Sequence, residues 1–240
     1  MSGNADVSKY DGPKFHIRYA GVALNDEQFI VEAFDSTLSY LVSIGSGEMW
    51  GSTPFSEKDG FLEETLKDVE QSEKYQTTGS GDAVRILIAE IELSELSTSE
   101  TRGNLRFRID NNKQRFLSVG TATIRENWLP AYVTSKAEHL GLGGIELRDV
   151  LYLEVIITDY RTGSTSKGAG MALIQSIVKY GRKAGKRTLY VDAWAGNERK
   201  LVRYYEHQGF NVVGDFSMKR RSGSTWLGTL LQMDLRPEND

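Results

Sequence analysis

Ser166-Lys167-Gly168-Ala169-Gly170-Met171-Ala172-Leu173 is the stretch that decides how this chain is read. Before it, residues 151–158 form an apolar run with the character of a strand. After it, residues 171–181 carry apolar positions at helical spacing. A strand that hands two closely spaced glycines to a helix start builds a cradle for a phosphate-bearing ligand. The first N–H groups of a helix lack carbonyl partners and carry partial positive charge, and the missing side chains let phosphate oxygens approach. The local sequence therefore predicts a nucleotide-like cofactor.

Charge is distributed to suit that reading. Across 161–203, ten Lys and Arg stand against two acids, Asp192 and Glu198, a local charge of +8 that leaves −12 for the rest of the chain. A positive field around the loop attracts an anionic ligand. The alternative is that the cations of 179–187 form the solvated end of a helix, where the dipole also favours them. The overall charge of −4 argues against a general nucleic-acid binder. The chain has no cysteine, which excludes disulfides, thiolate catalysis and cysteine metal sites, and its three histidines, His16, His139 and His207, are too scattered for a zinc site. No run of about 18 apolar residues is present to span a bilayer, and the first residues lack a secretory pattern. A cytoplasmic protein with no membrane partner is expected.

The 240 residues suffice for a sizeable core. Residues 1–13 read as a loose tail and 14–236 as one domain. A strand over 15–19 precedes a helix capped by Asn25 or Asp26, with Phe29, Ile30, Ala33, Phe34, Leu38, Leu41 and Val42 on its apolar face. Residues 45–55 are a loop containing Trp50, and Ser56 is placed to cap a second helix bearing Phe61, Leu62, Leu66 and Val69. Strands follow over 84–91 and 116–124, separated by a polar connection, 94–114, with an extended piece at 105–109. Residues 125–148 are irregular or partly helical. Strand 151–158, helix 170–184, strand 188–193, helix 198–208 and strands 210–213 and 227–235 complete the chain. The order β-α-α-β-β-β-α-β-α-β-β predicts a mixed α/β domain rather than a regular βαβ winding.

Three glycine codes compete for the loop. A P-loop aligned on Gly163 and Gly168 puts Ala169 and Gly170 where lysine and a hydroxyl are required, so it fails at both chemical positions. A dinucleotide fingerprint beginning at Gly168 and Gly170 meets Leu173 at its third glycine. The third code is the [Q/R]-x-x-G-x-[G/A] pyrophosphate loop, and Thr165-Ser166-Lys167-Gly168-Ala169-Gly170 matches it except that Thr165 replaces the basic or amide residue. About 30 residues on, Asn197-Glu198-Arg199-Lys200-Leu201-Val202-Arg203-Tyr204-Tyr205-Glu206-His207-Gln208-Gly209-Phe210 is similar to N-x-x-A-x-x-[FL]-Y-E-x-x-G-F. Together the two segments resemble the GNAT superfamily of acetyl-CoA-dependent N-acetyltransferases.

That resemblance implies a central mixed, mostly antiparallel sheet flanked by helices, with a splayed strand before the glycine loop. It covers 145–235 as the cofactor-binding core and places the helices of 25–75 beside the acceptor. It implies acetyl-CoA held by Ile156, Ile157 and Thr158 of the splayed strand, by Thr165, Ser166, Lys167, Gly168, Ala169, Gly170 and Met171 of the loop, and by Asn197 and Tyr204. Arg161 or Lys167 would supply charge to the phosphates. Asn197 could equally cap the following helix. Tyr205 is the implied general acid, protonating the leaving thiolate, or a ring packed beneath its helix.

Glu154 is the implied base, because a glutamate inside an apolar strand is costly unless it faces a cavity or a partner; a rim carboxylate is the alternative. Strand alternation puts 152, 154, 156 and 158 on one face. Trp50 is a wall for the acceptor or a pin for its loop. The activity implied is acetyl transfer to a primary amine, of a small molecule first and of a protein or peptide second, with a non-catalytic acyl-CoA-binding module as the third reading. A homodimer is compatible with all of these.

Overall fold

Among the described residues the only parallel neighbours in the sheet are the two strands that flank the glycine loop, and everything else in the architecture positions them. The computed structural model describes residues 15–93, 104–220 and 223–236; the proposed tail at 1–13 and residues 94–103 of the long connection lie outside these. The described elements are β1 (Phe15–Tyr19), α1 (Asp26–Ser43), α2 (Phe61–Thr78), β2 (Val84–Leu93), β3 (Phe107–Ile109), β4 (Arg115–Glu126), a single turn α3 (Ala131–Thr134), β5 (Val150–Thr158), α4 (Ala169–Lys183), β6 (Thr188–Trp194), α5 (Gly196–His207), β7 (Asn211–Lys219) and β8 (Thr225–Asp234). The strands form one mixed sheet in the order β1-β2-β4-β5-β6-β8-β7, and β3 pairs with the lower end of β4.

Each face of the sheet is covered by helices because central strands such as β2 and β5 present apolar residues both ways. Leu117, Val119, Leu151, Leu153, Leu189 and Val191 pack with Leu173, Ile174 and Ile177 of α4 and Val202 of α5. On the other face Ile86, Ile88 and Ile157 pack with Phe29, Ile30 and Ala33 of α1 and Val69 of α2. Each fully buried aliphatic contributes about 1.5–3 kcal/mol relative to an exposed one. Helix α4 approaches the sheet closely at Gly120: a Cβ there would lie 2.9 Å from the Ile157 carbonyl and 3.6 Å from the Ala169 side chain. This close seat fixes where the glycine loop sits above β5.

Two sequence expectations change. Ser56 does not cap α2; it lies in a short 3-10 turn, and α2 starts after Gly60, whose φ of 76° reverses the chain. The single-face alternation of 152, 154, 156 and 158 also fails. Between β4 and β5 the pairing shifts from Thr123↔Val155 to Ile124↔Leu153, so Glu154 is a bulge residue with no partner on β4. One extra residue inverts the facing of everything after it. Leu151 and Leu153 share a face with Ile156, whereas Tyr152 lies on the side of Val155 and Ile157.

Candidate active site

Pairing between β5 and β6 runs from Val150↔Thr188 to Leu153↔Val191 and stops there. Beyond it β5 remains paired to β4 up to Thr158, so its other edge opens onto a gap. That gap is the floor of a cavity of about 1220 Å³. Its β5 wall is Glu154, Val155, Ile156, Ile157 and Thr158; Asp192 and Trp194 of β6 face it across the gap. Helix α1 closes one side with Phe34, Thr37 and Leu41, a stripe at helical spacing continued by Ile44 just past its end, and α5 supplies Leu201, Tyr204 and Tyr205.

The glycine loop forms one end of the cavity. Ser166, Lys167, Gly168, Gly170 and Met171 line it. Gly168 sits at φ 93°, the left-handed region, and α4 begins directly after it with no side-chain cap. The first amide of α4 to find a helical carbonyl is that of Ala172, bonded to Gly168 at 3.0 Å. The N–H groups of the preceding turn are therefore free to take an anion. A Cβ on Gly168 would meet the Phe15 ring at 3.4 Å, and one on Gly170 would lie 2.8 Å from the Tyr204 hydroxyl. Phe15 and Tyr204 thus pack against the two glycines, and what the cradle presents is the row of backbone N–H groups that opens α4.

Charge around it is partly committed elsewhere. Arg161 pairs with Asp159 at 2.7 Å and Glu32 at 2.9 Å, while Arg199 pairs with Asp215. Lys167 lies on the cavity and has no carboxylate partner among the described residues. Thr165 lies in the turn but not in the lining, and Ala169 is buried in the core against Leu173.

No family profile and no curated protein matches the sequence. Solved structures do match. The yncA protein of Salmonella typhimurium, solved with its cofactor acetyl-CoA, is 17% identical, covering 94% of this chain and 96% of its own, with a TM-score of 0.54. A GNAT-family acetyltransferase from Streptococcus pneumoniae is 16% identical over 92% of this chain and 99% of that one, with a TM-score of 0.50. A ribosomal-protein-alanine N-acetyltransferase from Brucella melitensis is 14% identical, covering 91% and 99%, with a TM-score of 0.53. The chain has the GNAT acetyltransferase fold.

Within this GNAT fold the other sequence candidates take definite places. Tyr205 is buried under α5, edge-on to Phe210, yet reaches the cavity. Burial, with Tyr204 and Asp192 nearby, pushes its phenol far above the ordinary range, so it stays protonated. Asn197 does not line the cavity. Its amide donates to the Ile44 carbonyl at 2.7 Å and to Ser46 Oγ at 2.8 Å, tying α5 to the loop after α1. It makes no side-chain cap, and Asn197, Glu198 and Arg199 all adopt positive φ. Trp50 lines the cavity and also packs on Phe34 and Phe55 at centroid distances of 5.4 and 5.6 Å, so wall and pin are the same ring.

Glu154 faces the cavity from the bulge. Arg125 Nε donates to its Oε2 at 2.6 Å and extends to Asp68 at 3.4 Å. Burial raises the Glu154 pKa above its ordinary value, against the opposing pull of Arg125.

The sequence reading passed over a second carboxylate. Asp192 Oδ1 accepts from Tyr132 Oη at 2.9 Å and from Tyr152 Oη, and the two phenols are 3.2 Å from each other. Burial raises the pKa of Asp192 and pushes Tyr152 above the range of free phenols. The signal was present: an acid inside Leu189-Tyr190-Val191-Asp192-Ala193-Trp194 is as costly as Glu154 in its own strand. Among the described residues no group of His, Asp and Glu is placed to hold a metal ion, and no helix is long and apolar enough to cross a membrane.

Proposed function

We propose that this chain is an acetyl-CoA-dependent N-acetyltransferase acting on a primary amine of a small molecule. One observation carries the reading: the unpaired N–H groups that open α4 at Gly168–Gly170 stand at one end of a cavity between two strands that part after Leu153 and Val191. The yncA structure holds acetyl-CoA on the same fold, which supports the cofactor. When bound, acetyl-CoA supplies an acetyl group activated as a thioester.

The chain's own residues then divide the work. The N–H groups opening α4, with Lys167, bind the pyrophosphate. The free edge of β5 at Ile156, Ile157 and Thr158 orients the pantetheine and offers N–H donors to the thioester carbonyl. Tyr204, against Gly170, borders the cofactor path. Tyr205 holds its proton at Oη for the leaving sulfur. Glu154, bridged to Arg125, borders the acceptor side. Residues 14–236 act as a single domain, in the cytoplasm, with no nucleic-acid or membrane partner; a homodimer is compatible with this arrangement.

A small acceptor is favoured over a protein chain because the acceptor side is roofed. Arg220, beyond β7, donates to the Glu48 and Met49 carbonyls, and Asn197 and Lys200 reach the Ile44 carbonyl. The loop carrying Trp50 is thereby fastened over the cavity. Incubation with acetyl-CoA and an amine panel, read by intact mass of the products, tests the activity. Tight acetyl-CoA binding without any product would favour the non-catalytic module, and product only with peptides would favour a protein acceptor.

A further inference from the structure

The two carboxylates on the cavity are compensated in different ways. Glu154 has a guanidinium at 2.6 Å. Asp192, one residue past the last β5–β6 pair, has no cationic partner among the described residues. Both of its phenol donors reach Oδ1, and among the described residues Oδ2 takes no side-chain hydrogen bond. The cations of the cavity wall are engaged elsewhere or lie at the other end: Lys58 sits 3.2 Å over the Phe55 ring, Lys200 and Arg220 reach carbonyls of the roof, and Lys167 belongs to the glycine loop. A carboxylate facing a cavity with two phenols and its own backbone N–H as donors lacks the counter-charge that its burial calls for. Trp50, Trp194 and Trp226 complete the walls on that side.

We propose that Asp192 anchors the acceptor's amine, and that the acceptor is a primary amine carried on an aromatic or bulky apolar body. The ammonium meets Oδ2, and the apolar body lies against the tryptophans, where an aromatic face also favours a nearby cation. This deepens the acetyltransferase reading and rests on it. The carboxylate then takes one proton: an N–H bond of the ammonium breaks, an O–H bond forms at Oδ2, and the nitrogen lone pair is freed for attack. Tyr132, Tyr152, Tyr205 and Glu154 are the titratable groups that face Asp192, and none of them carries positive charge. Its raised pKa makes it a better proton acceptor than a solvated aspartate.

Calorimetric titration of the full chain, without acetyl-CoA, tests the assignment with 2-phenylethylamine and its neutral isostere 2-phenylethanol. The amine is expected to bind wild type more tightly than the alcohol. Asp192→Asn, which still accepts from both tyrosines, is expected to lose amine affinity by roughly tenfold or more while leaving the alcohol unchanged. Amine and alcohol binding equally to wild type would overturn the proposal, and this comparison needs no variant. So would an amine affinity indifferent to Asp192→Asn but lost in Glu154→Gln, or no binding of either probe. Acetyl-CoA titrated into the same wild-type sample separates the two levels: failure there sinks the acetyltransferase reading, whereas failure confined to the amine sinks only the anchor.

Discussion

The two ends of the cavity are made from different material. The glycine-loop end, proposed for the cofactor, is backbone from one short stretch, 166–171, where two glycines and a helix start present N–H groups. The opposite end, proposed for the acceptor, is side chains from distant segments: Phe34, Trp50, Tyr132, Glu154, Asp192 and Trp226. A backbone site tolerates little change at its glycines, because a Cβ at Gly168 meets Phe15 and one at Gly170 meets the Tyr204 hydroxyl. A side-chain site can be re-cut one residue at a time without disturbing the sheet beneath. On the proposed reading, the same scaffold can thus keep its cofactor and change its acceptor.

The comparison can be broken most directly at Gly168. Gly168→Asp strains a residue at φ 93°, puts a Cβ against Phe15 and brings negative charge to the cradle. Acetyl-CoA affinity should fall roughly 100-fold, about 2.7 kcal/mol, by calorimetry. An unchanged affinity would remove the cradle from the account. Tyr205→Phe keeps the buried ring and deletes the hydroxyl. Turnover should drop about tenfold or more while acetyl-CoA affinity holds; full turnover would leave Tyr205 as packing alone.

Trp50→Ala acts on the acceptor end only. The KM of the acceptor should rise several-fold, with cofactor affinity kept, in steady-state kinetics. An equal loss of cofactor affinity would show that the two ends are not separable.

The smallest effect is on stability. The raised pKa of Asp192 means that the folded state holds its proton more tightly than the unfolded chain does. The cost of ionising it is therefore absent below the unfolded pKa and grows as pH rises through the folded value. Asp192→Asn should melt higher than wild type at pH 8, by about 1 kcal/mol, and the gap should close towards pH 4. A gap that widens in acid would reverse the sign assigned to Asp192.

How much could be read beforehand follows the same division. The strand–glycine–helix unit and the Tyr204-Tyr205-Glu206 segment are contiguous, so their spacing survives in the sequence, and most helices and strands from 84 onward lie within a few residues of expectation, although β7 runs on to Lys219 rather than ending at 213. What failed depended on partners far away. The bulge at Glu154 is set by the register against β4, and no residue type near 154 announces it. Asn197 was read through its motif, yet its amide is committed to Ile44 and Ser46, some 150 residues earlier. Arg161 looked available to a phosphate, but Asp159 and Glu32 converge on it. The Asp192–Tyr132–Tyr152 group joins three segments that share no pattern.

The parting of β5 from β6 has a consequence for solubility. Unpaired strand edges ordinarily recruit other chains and seed aggregation. Here the unpaired edge lies in the middle of the sheet, roofed by α1 and α5 and by the tethered loop, where a foreign strand with its own side chains cannot lie alongside. Only something as slender as a single unbranched chain can dock against that edge. The fold thereby keeps an adhesive surface permanently on offer to one kind of guest while concealing it from every neighbouring protein.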